Sequence, residues 1–247
     1  MLTTTWHSRY NLNSRLKTKF RRKLIALQKT NPCITPFTNK TKDLASNWWG
    51  KAWNANLKKY TVNNIHLEKG KLLFRCEALA DFKIDSNTIK AIVLGSKIKP
   101  YEIKITIKPV SEAKWASIQG FYEGYLECFE KILDNHFPGE MSDIFSNKAT
   151  GIFPSQSEMS FTCSCSERAN LCKHTAVALY ALGAKIDNDP KLLFKLRGVD
   201  ILDLISKSIH SNRKSILKKA KIKSLKILKN TDLSDIFNIE IQTGRNL

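Results

Sequence analysis

Three cysteines and one histidine are concentrated in a stretch of twelve residues, CSCSERANLCKH. They form two close pairs, C-x-C and C-x-H, separated by six residues. Structural zinc sites hold the ion with four tetrahedral ligands, and thiolate sulfur and imidazole nitrogen are the usual donors. The predicted zinc ligands are therefore Cys163, Cys165, Cys172 and His174.

The spacing within each pair predicts the local structure. Residues two apart in a strand point to the same side, so Cys163 and Cys165 can grip one ion. Residues two apart inside an α-helix lie about 200° from each other around the axis. Cys172 and His174 therefore cannot both lie in a helix interior, and one of them must precede the helix. We expect a strand, a loop and a helix start, joined by the ion.

The predicted site is structural. Four protein ligands leave no open position for an activated water, and metal binding then supplies part of the local folding free energy. The alternatives are free thiols or a disulfide that joins Cys163 or Cys165 to Cys172. A redox pair would not need His174 at this spacing, and six cysteines without an export signal do not indicate a disulfide framework.

The net charge of +19 is placed unevenly along the 247 residues. Residues 1–42 contain ten Lys or Arg and no acid, and residues 204–231 contain nine and none. The 22 basic residues outside these flanks are balanced by 22 acidic ones. Cationic flanks attract polyanions, of which nucleic acid is the commonest soluble one, while an anionic membrane surface or an acidic protein stays open.

The sequence contains no apolar run of eighteen residues, so we expect no membrane-spanning helix and no membrane partner. The basic start lacks the apolar stretch of a secretory signal, although a mitochondrial transit peptide is compatible with its composition. We expect a cytoplasmic protein, with association to the nucleoid left open.

The remaining patterns predict an α+β fold. GKLLFRCEALA, TIKAIVLGS and YEIKITIKP are typical of strands in a small, mostly antiparallel sheet, and a long helix is expected from Ser111. Trp48, Trp49 and Trp53 are interpreted as core anchors in preference to base-stacking groups. The predicted division is a basic segment 1–42, an α+β domain 43–150, a zinc finger with its following helices 151–205, and a basic helical tail 206–247.

The stretch CSCSERANLCKHTAVALYAL resembles the SWIM zinc finger. WWGKAW, VLGSKIKPYEIKI, FPGEMSDIF and DPKLLFKLRG are similar to segments of bacterial SWIM-finger proteins, which extends the resemblance over residues 41–205. The resemblance implies the same four metal ligands. After Trp53, where that family carries an arginine- and glycine-rich run, this chain has NANLKKYTVNNIHLEKGK instead.

The resemblance also implies binding to DNA or to proteins, in company with helicases of the Snf2 type. We expect a non-catalytic, zinc-stabilised accessory protein that binds nucleic acid, with DNA favoured over RNA and a Snf2-type helicase as a candidate partner. The alternative is an adaptor whose finger docks a partner enzyme. The predicted phosphate contacts, which would position the chain without reading sequence, are Arg21, Arg22, Lys23, Lys214, Lys218, Lys219, Lys221 and Lys226.

Overall fold

The computed structural model describes residues 4–37, 44–61, 64–121, 139, 142–147, 151–167 and 171–203, together with residues 206, 210, 213 and 217. The described helices are α1 (Thr4–Thr30), α2 (Trp48–Leu57), α3 (Ile65–Arg75), α4 (Glu112–Phe121), α5 (Ser142–Ser146), α6 (Lys173–Asn188) and α7 (Lys191–Leu196). The strands are β1 (Leu79–Asp85), β2 (Thr88–Val93), β3 (Tyr101–Ile107) and β4 (Met159–Cys163). Helices packed with an antiparallel sheet confirm the α+β class. None of the described helices is long and apolar enough to cross a membrane.

The four strands form one antiparallel sheet in the order β1-β2-β3-β4. Isoleucines at alternate positions of β3 are buried, while Glu102 and Lys104 between them are exposed, as its alternating sequence predicts. Strand β4 is distant in sequence but pairs along β3, with Ile103 opposite Cys163. The sheet therefore joins the predicted segments 43–150 and 151–205.

Helix α6 lies at the centre of the fold. It contacts all four strands and also α2 and α3, and nearly all of its residues are buried. Its sequence, KHTAVALYALGAKIDN, is apolar around the whole circumference from Ala176 to Ala184, which is the pattern of an enclosed helix. The prediction of a helix over this stretch is confirmed.

Two tryptophans fasten α2 to α6. Trp49 is 7% exposed and Trp53 is 0% exposed. The indole N–H of Trp49 donates to the carbonyl of Ile186 at 3.1 Å, and that of Trp53 donates to the carbonyl of Leu179 at 3.0 Å. Their interpretation as core anchors is confirmed, and buried rings cannot stack on nucleic-acid bases.

A carboxylate near the end of α6 accepts hydrogen bonds from the backbone at the start of α2. Asp187, which is 6% exposed, accepts hydrogen bonds from the backbone N–H groups of Ser46 at 2.8 Å and Asn47 at 2.9 Å. A carboxylate at a helix N-terminus satisfies free N–H groups and is favoured by the helix dipole. The two helices are therefore joined by charge as well as by apolar packing.

The prediction of a strand over GKLLFRCEALA is wrong except for its last two residues, Leu79 and Ala80. Helix α3 extends to Arg75, and β1 begins only at Leu79. The buried residues Leu67, Gly70 and Phe74 are spaced three and four apart, so they form the stripe that packs against α6. A short apolar run such as LLF is compatible with either a strand or a helix. Packing against α6 stabilises the helix here.

Two further helices lie in the basic start and after Ser111. The basic start forms the continuous helix α1 and buries Phe20 to 3% exposure. The helix predicted from Ser111 is present as α4 up to Phe121. The predicted remainder, residues 122–137, lies outside the described residues.

A buried ion pair connects α7 to the sheet. The guanidinium of Arg197, which is 0% exposed, donates to the carbonyl of Lys108 and to the carboxylate of Glu158. Burial raises the pKa of Glu158, but hydrogen bonds from Ser155 and Arg197 outweigh it, so the net pKa is lowered. Breaking a buried pair leaves an uncompensated charge, which is the costly case.

The close approach of α3 and α6 makes a first prediction. A Cβ added at Gly70 would lie 2.4 Å from Ala176 Cβ and 2.8 Å from the Lys173 carbonyl oxygen. We expect Gly70→Ala to lower the free energy of unfolding by about 1–2 kcal/mol, because overpacking exceeds the gain in helix propensity. Gly120→Ala is the matched control, since its Cβ would meet nothing within 4 Å. Urea unfolding should show Gly120→Ala neutral or stabilised by about 0.5–1 kcal/mol; equal losses in both variants would contradict the packing.

The ion pair makes a second prediction, on pH. Because the pKa of Glu158 is lowered on folding, its stabilisation is complete above the ordinary glutamate pKa and is lost as pH falls through the lowered value. Glu158→Gln should therefore cost about 2 kcal/mol at pH 7, and its difference from the native protein should shrink towards pH 3. The exposed Glu102→Gln is the control for a general charge effect. A Glu158→Gln deficit that stays constant between pH 7 and pH 3 would refute the role of the pair.

Candidate metal centre

The first pair of candidate ligands lies where β4 ends beside β3. Cys163 is the last residue of β4. The next residue, Ser164, continues the pairing, since its N–H donates to the Glu102 carbonyl at 3.0 Å and its Oγ accepts from the Glu102 N–H at 3.0 Å. Cys163 and Cys165 flank this tethered residue, which fixes the backbone that carries both thiols.

The second pair lies at the start of α6. Cys172 is the N-cap residue, with extended backbone angles of φ −84° and ψ 168°. Its Sγ accepts a hydrogen bond from the Thr175 N–H at 3.5 Å and lies 3.3 Å from Thr175 Oγ1. His174 lies one residue inside the helix start. The prediction that one member of the pair precedes the helix is confirmed.

The four side chains converge. Their ligating atoms all lie within 4.8 Å of one another, and His174 Nδ1 is 3.9 Å from both Cys163 Sγ and Cys172 Sγ. Tetrahedral bonds of about 2.3 Å to sulfur and about 2.05 Å to nitrogen would place the two donors about 3.6 Å apart. A small inward movement of the side chains therefore lets the cluster hold a metal ion. In the described part of the chain, no other group of three or more His, Cys, Asp or Glu side chains converges in this way.

The cysteines of the cluster are free thiols, so the disulfide alternative is not what the structure adopts. The described cysteines outside it, Cys33 and Cys76, are also free. Cys76 is buried at 1% exposure, and burial raises its pKa, as expected of a small core residue. Cys128 lies outside the described residues.

The cluster favours a thiolate at Cys172. Hydrogen bonds from Cys163, His174 and Thr175 lower the pKa of Cys172 despite its burial, and the N-terminus of a helix also favours negative charge. The same hydrogen bond from Cys163, together with burial, raises the pKa of Cys163. A cation bound at the centre would favour the thiolate form of each ligating cysteine.

An aromatic ring fixes the orientation of His174. The imidazole is 3% exposed and stacks on the Tyr101 ring, with centroids 3.8 Å apart and planes 19° apart. Gly95 makes this stack possible, because a Cβ there would lie 2.3 Å from Tyr101 Cε2. Neither residue was predicted to belong to the site. No spacing in the sequence links them to His174, since the packing of α6 against the sheet brings them together.

A charged contact holds the loop between the two ligand pairs. Glu167 lies 3.5 Å from His66 Nδ1 on α3 and 3.8 Å from Lys173 Nζ on α6. The loop is thereby tied to both helices that meet beside the cluster. Lys173 also supplies a positive charge near a group of thiolates, as the sequence indicates.

The predicted phosphate contacts fall into two groups. On α1, Arg21 and Arg22 are exposed, whereas Lys23 Nζ already donates to the carbonyls of Gly95 at 2.6 Å and Lys97 at 2.7 Å. The second group lies outside the described residues and consists of Lys214, Lys218, Lys219, Lys221 and Lys226. Both groups remain predictions.

Comparison with known proteins gives a relative but no function. The chain is 29% identical to the uncharacterized protein Rv2102 of Mycobacterium tuberculosis over 164 residues, which are 66% of this chain and 59% of the relative. It thus spans less than two thirds of the length of that relative. No family model and no solved structure matches the chain. The cluster itself therefore carries the functional interpretation.

The metal centre makes a third prediction. Cys172→Ser should abolish stoichiometric metal binding, because it removes the ligand at the helix start. We expect the melting temperature to fall by roughly 10 °C, which corresponds to a loss of about 3–4 kcal/mol in a chain of this size. Limited proteolysis should then cleave within residues 161–185. Metal analysis by mass spectrometry checks the first point, with Cys33→Ser as the control that keeps its metal; a fully loaded Cys172→Ser protein would overturn the assignment.

Proposed function

We propose that this chain is a zinc-binding accessory protein that binds nucleic acid and performs no catalysis at its metal. The cluster of Cys163, Cys165, Cys172 and His174 is the observation that carries the proposal. DNA is the favoured nucleic acid, and a Snf2-type helicase is the partner suggested by the SWIM-finger resemblance.

The donor set supports zinc as the metal. Three thiolates and one imidazole at the corners of a tetrahedron suit Zn²⁺, whereas magnesium and calcium prefer oxygen donors. The neutral imidazole would bind through Nδ1, the ring nitrogen that lies near both sulfurs. The bound ion would cross-link the strand to the helix and would not activate a water molecule.

The position of the cluster supports a structural role. Its four ligands all come from the protein, so no coordination position is left for substrate. Two of the ligands, Cys172 and His174, are buried at 2% and 3% exposure. The ion would clamp the end of β4 to the start of α6, and α6 is the helix on which the other elements pack.

The charge distribution supports a polyanionic partner. Helix α1 contains no acidic residue, and most of its described basic side chains are exposed. The stretch of residues 204–231 adds nine Lys or Arg without an acid. Cations on this scale bind phosphate backbones by releasing condensed counterions, and they position a protein without reading sequence.

The fourth prediction tests DNA binding by the zinc-loaded protein. Fluorescence anisotropy with a labelled duplex and a labelled single strand, repeated across a salt series, should show affinity that falls steeply with salt. Deleting residues 211–230, which removes eight Lys or Arg, should reduce the log-log slope for duplex by at least about 3, since each phosphate contact contributes about 0.9.

Deletion of residues 232–247 is the matched control, because that segment holds three acids and one Arg. It should leave the slope unchanged. No binding by the full chain at about 0.15 M salt would overturn the nucleic-acid proposal. It would favour the adaptor alternative, in which the finger docks a protein and the partner is retained at high salt.

A further inference from the structure

The loop between β2 and β3, residues 94–100, presents an apolar tip between two cations. Ile98 at its tip is 98% exposed, which is the highest exposure among the large apolar side chains that the structure describes. Its neighbours Lys97 and Lys99 are also exposed. A fully exposed isoleucine does not stabilise the folded chain, because it buries no apolar surface.

Lys23 of α1 holds this loop in place. Its Nζ donates to the carbonyl oxygens of Gly95 at 2.6 Å, Ser96 at 3.4 Å and Lys97 at 2.7 Å. Burial and the nearby charge of Lys19 lower the pKa of Lys23. The loop is thereby fixed beside α1, and its tip projects at a defined position.

A row of cations on α1 lies next to the residue that holds the loop. Arg15, Lys19 and Arg22 are spaced four and three residues apart, so they share one face of the helix, and all three are exposed. With Lys23 they line a shallow surface depression. The row covers about 10.5 Å along the helix axis, which is about three nucleotide steps of duplex DNA at 3.4 Å each.

Lys17 and Lys29 provide a contrast on the same helix. Each residue advances about 100° around the axis, so the exposed Lys17 lies about 200° away from both Arg15 and Lys19 and off the row. Lys29 is two turns beyond the row and is also exposed. Neither contributes to the depression.

We propose that the α1 row and the β2–β3 loop together form a DNA-contacting surface, with Arg15, Lys19 and Arg22 on phosphates along one strand and Ile98 wedged at a base step. Lys97 and Lys99 then contact the phosphates on either side of that step. This inference rests on the proposed function and assigns it a surface and a mode of contact.

Duplex DNA fits this surface better than a lipid bilayer does. An apolar wedge needs only one side chain to unstack a base step, and flanking cations hold the backbone. One exposed isoleucine offers the apolar surface of a single side chain, whereas interfacial membrane binding requires a broad apolar face. Among residues 94–100, the exposed residues other than Ile98 are polar or charged.

The phosphate contacts are tested by a matched pair of double variants in the full, zinc-loaded chain. R15Q/R22Q should weaken binding to a labelled 20-base-pair duplex by roughly 10- to 100-fold at 0.1 M salt and reduce the log-log salt slope by about 2. K17Q/K29Q removes the same charge from the same helix and should change the slope by much less. Equal losses in both variants would mean that only net charge matters, which overturns the assigned surface.

The wedge is tested by Ile98→Ser, which removes apolar surface without changing charge. In a duplex with 2-aminopurine beside a TA step, the native protein should raise the fluorescence as the base unstacks. Ile98→Ser should lose that rise while keeping its salt slope and its melting temperature. An unchanged fluorescence rise in the variant overturns the wedge.

The outcomes separate this inference from the proposed function. Salt-dependent DNA binding that none of these substitutions alters leaves the proposed function standing and overturns the assigned surface. No DNA binding by the native chain overturns both. Sedimentation with vesicles of phosphatidylserine and phosphatidylcholine covers the membrane alternative: Ile98-dependent binding to vesicles by a chain that does not bind DNA would assign the loop to a lipid surface.

Discussion

Helix α6 is apolar around most of its circumference, and the other described elements are arranged so that each of its sides is covered. The sheet covers one side through contacts from all four strands, and α2 and α3 cover much of the rest. Glycines and alanines allow the closest approaches, as at Gly70 against Ala176. The polar residues at the two ends of the helix make specific contacts with other elements. Asp187 serves the start of α2, and the thiol and imidazole at the helix start face the end of β4.

The candidate metal cluster lies between the sheet and α6. Among the described strands, β4 is the last in the sheet and pairs with β3 alone. The cluster joins its end to the first turn of α6, and the ligand side chains are drawn from both elements. Tyr101 of β3 stacks on His174, so β3 also contacts the cluster. Gly95 packs against Tyr101, and its carbonyl accepts a hydrogen bond from Lys23 of α1. A continuous set of contacts thus runs from the cluster to the basic face of α1.

The side chains that stabilise the fold are buried, and they are separate from the exposed side chains that are proposed to contact a partner. The thiols and the imidazole turn inward, and the buried pair of Arg197 and Glu158 does the same at the other end of the sheet. Exposed cations are found on α1 and on the β2–β3 loop, among other parts of the described surface. This separation fits the binding module proposed above, in which a bound ion would preserve the shape and the surface would make the contact.

The sequence by itself determined the features that depend on neighbouring residues. Two pairs of ligands at short spacing, the alternation in β3 and the apolar run of α6 each express a local geometric period, so they could be predicted without a fold. The extent of α3 was not predictable, because LLFR suits a strand or a helix until α6 is present to pack against Leu67 and Phe74. The roles of Tyr101, Gly95 and Lys23 were likewise decided only by the tertiary structure. Each acts on a residue far away in the chain, and a contact of that kind is set by strand register and helix placement, which no local pattern records.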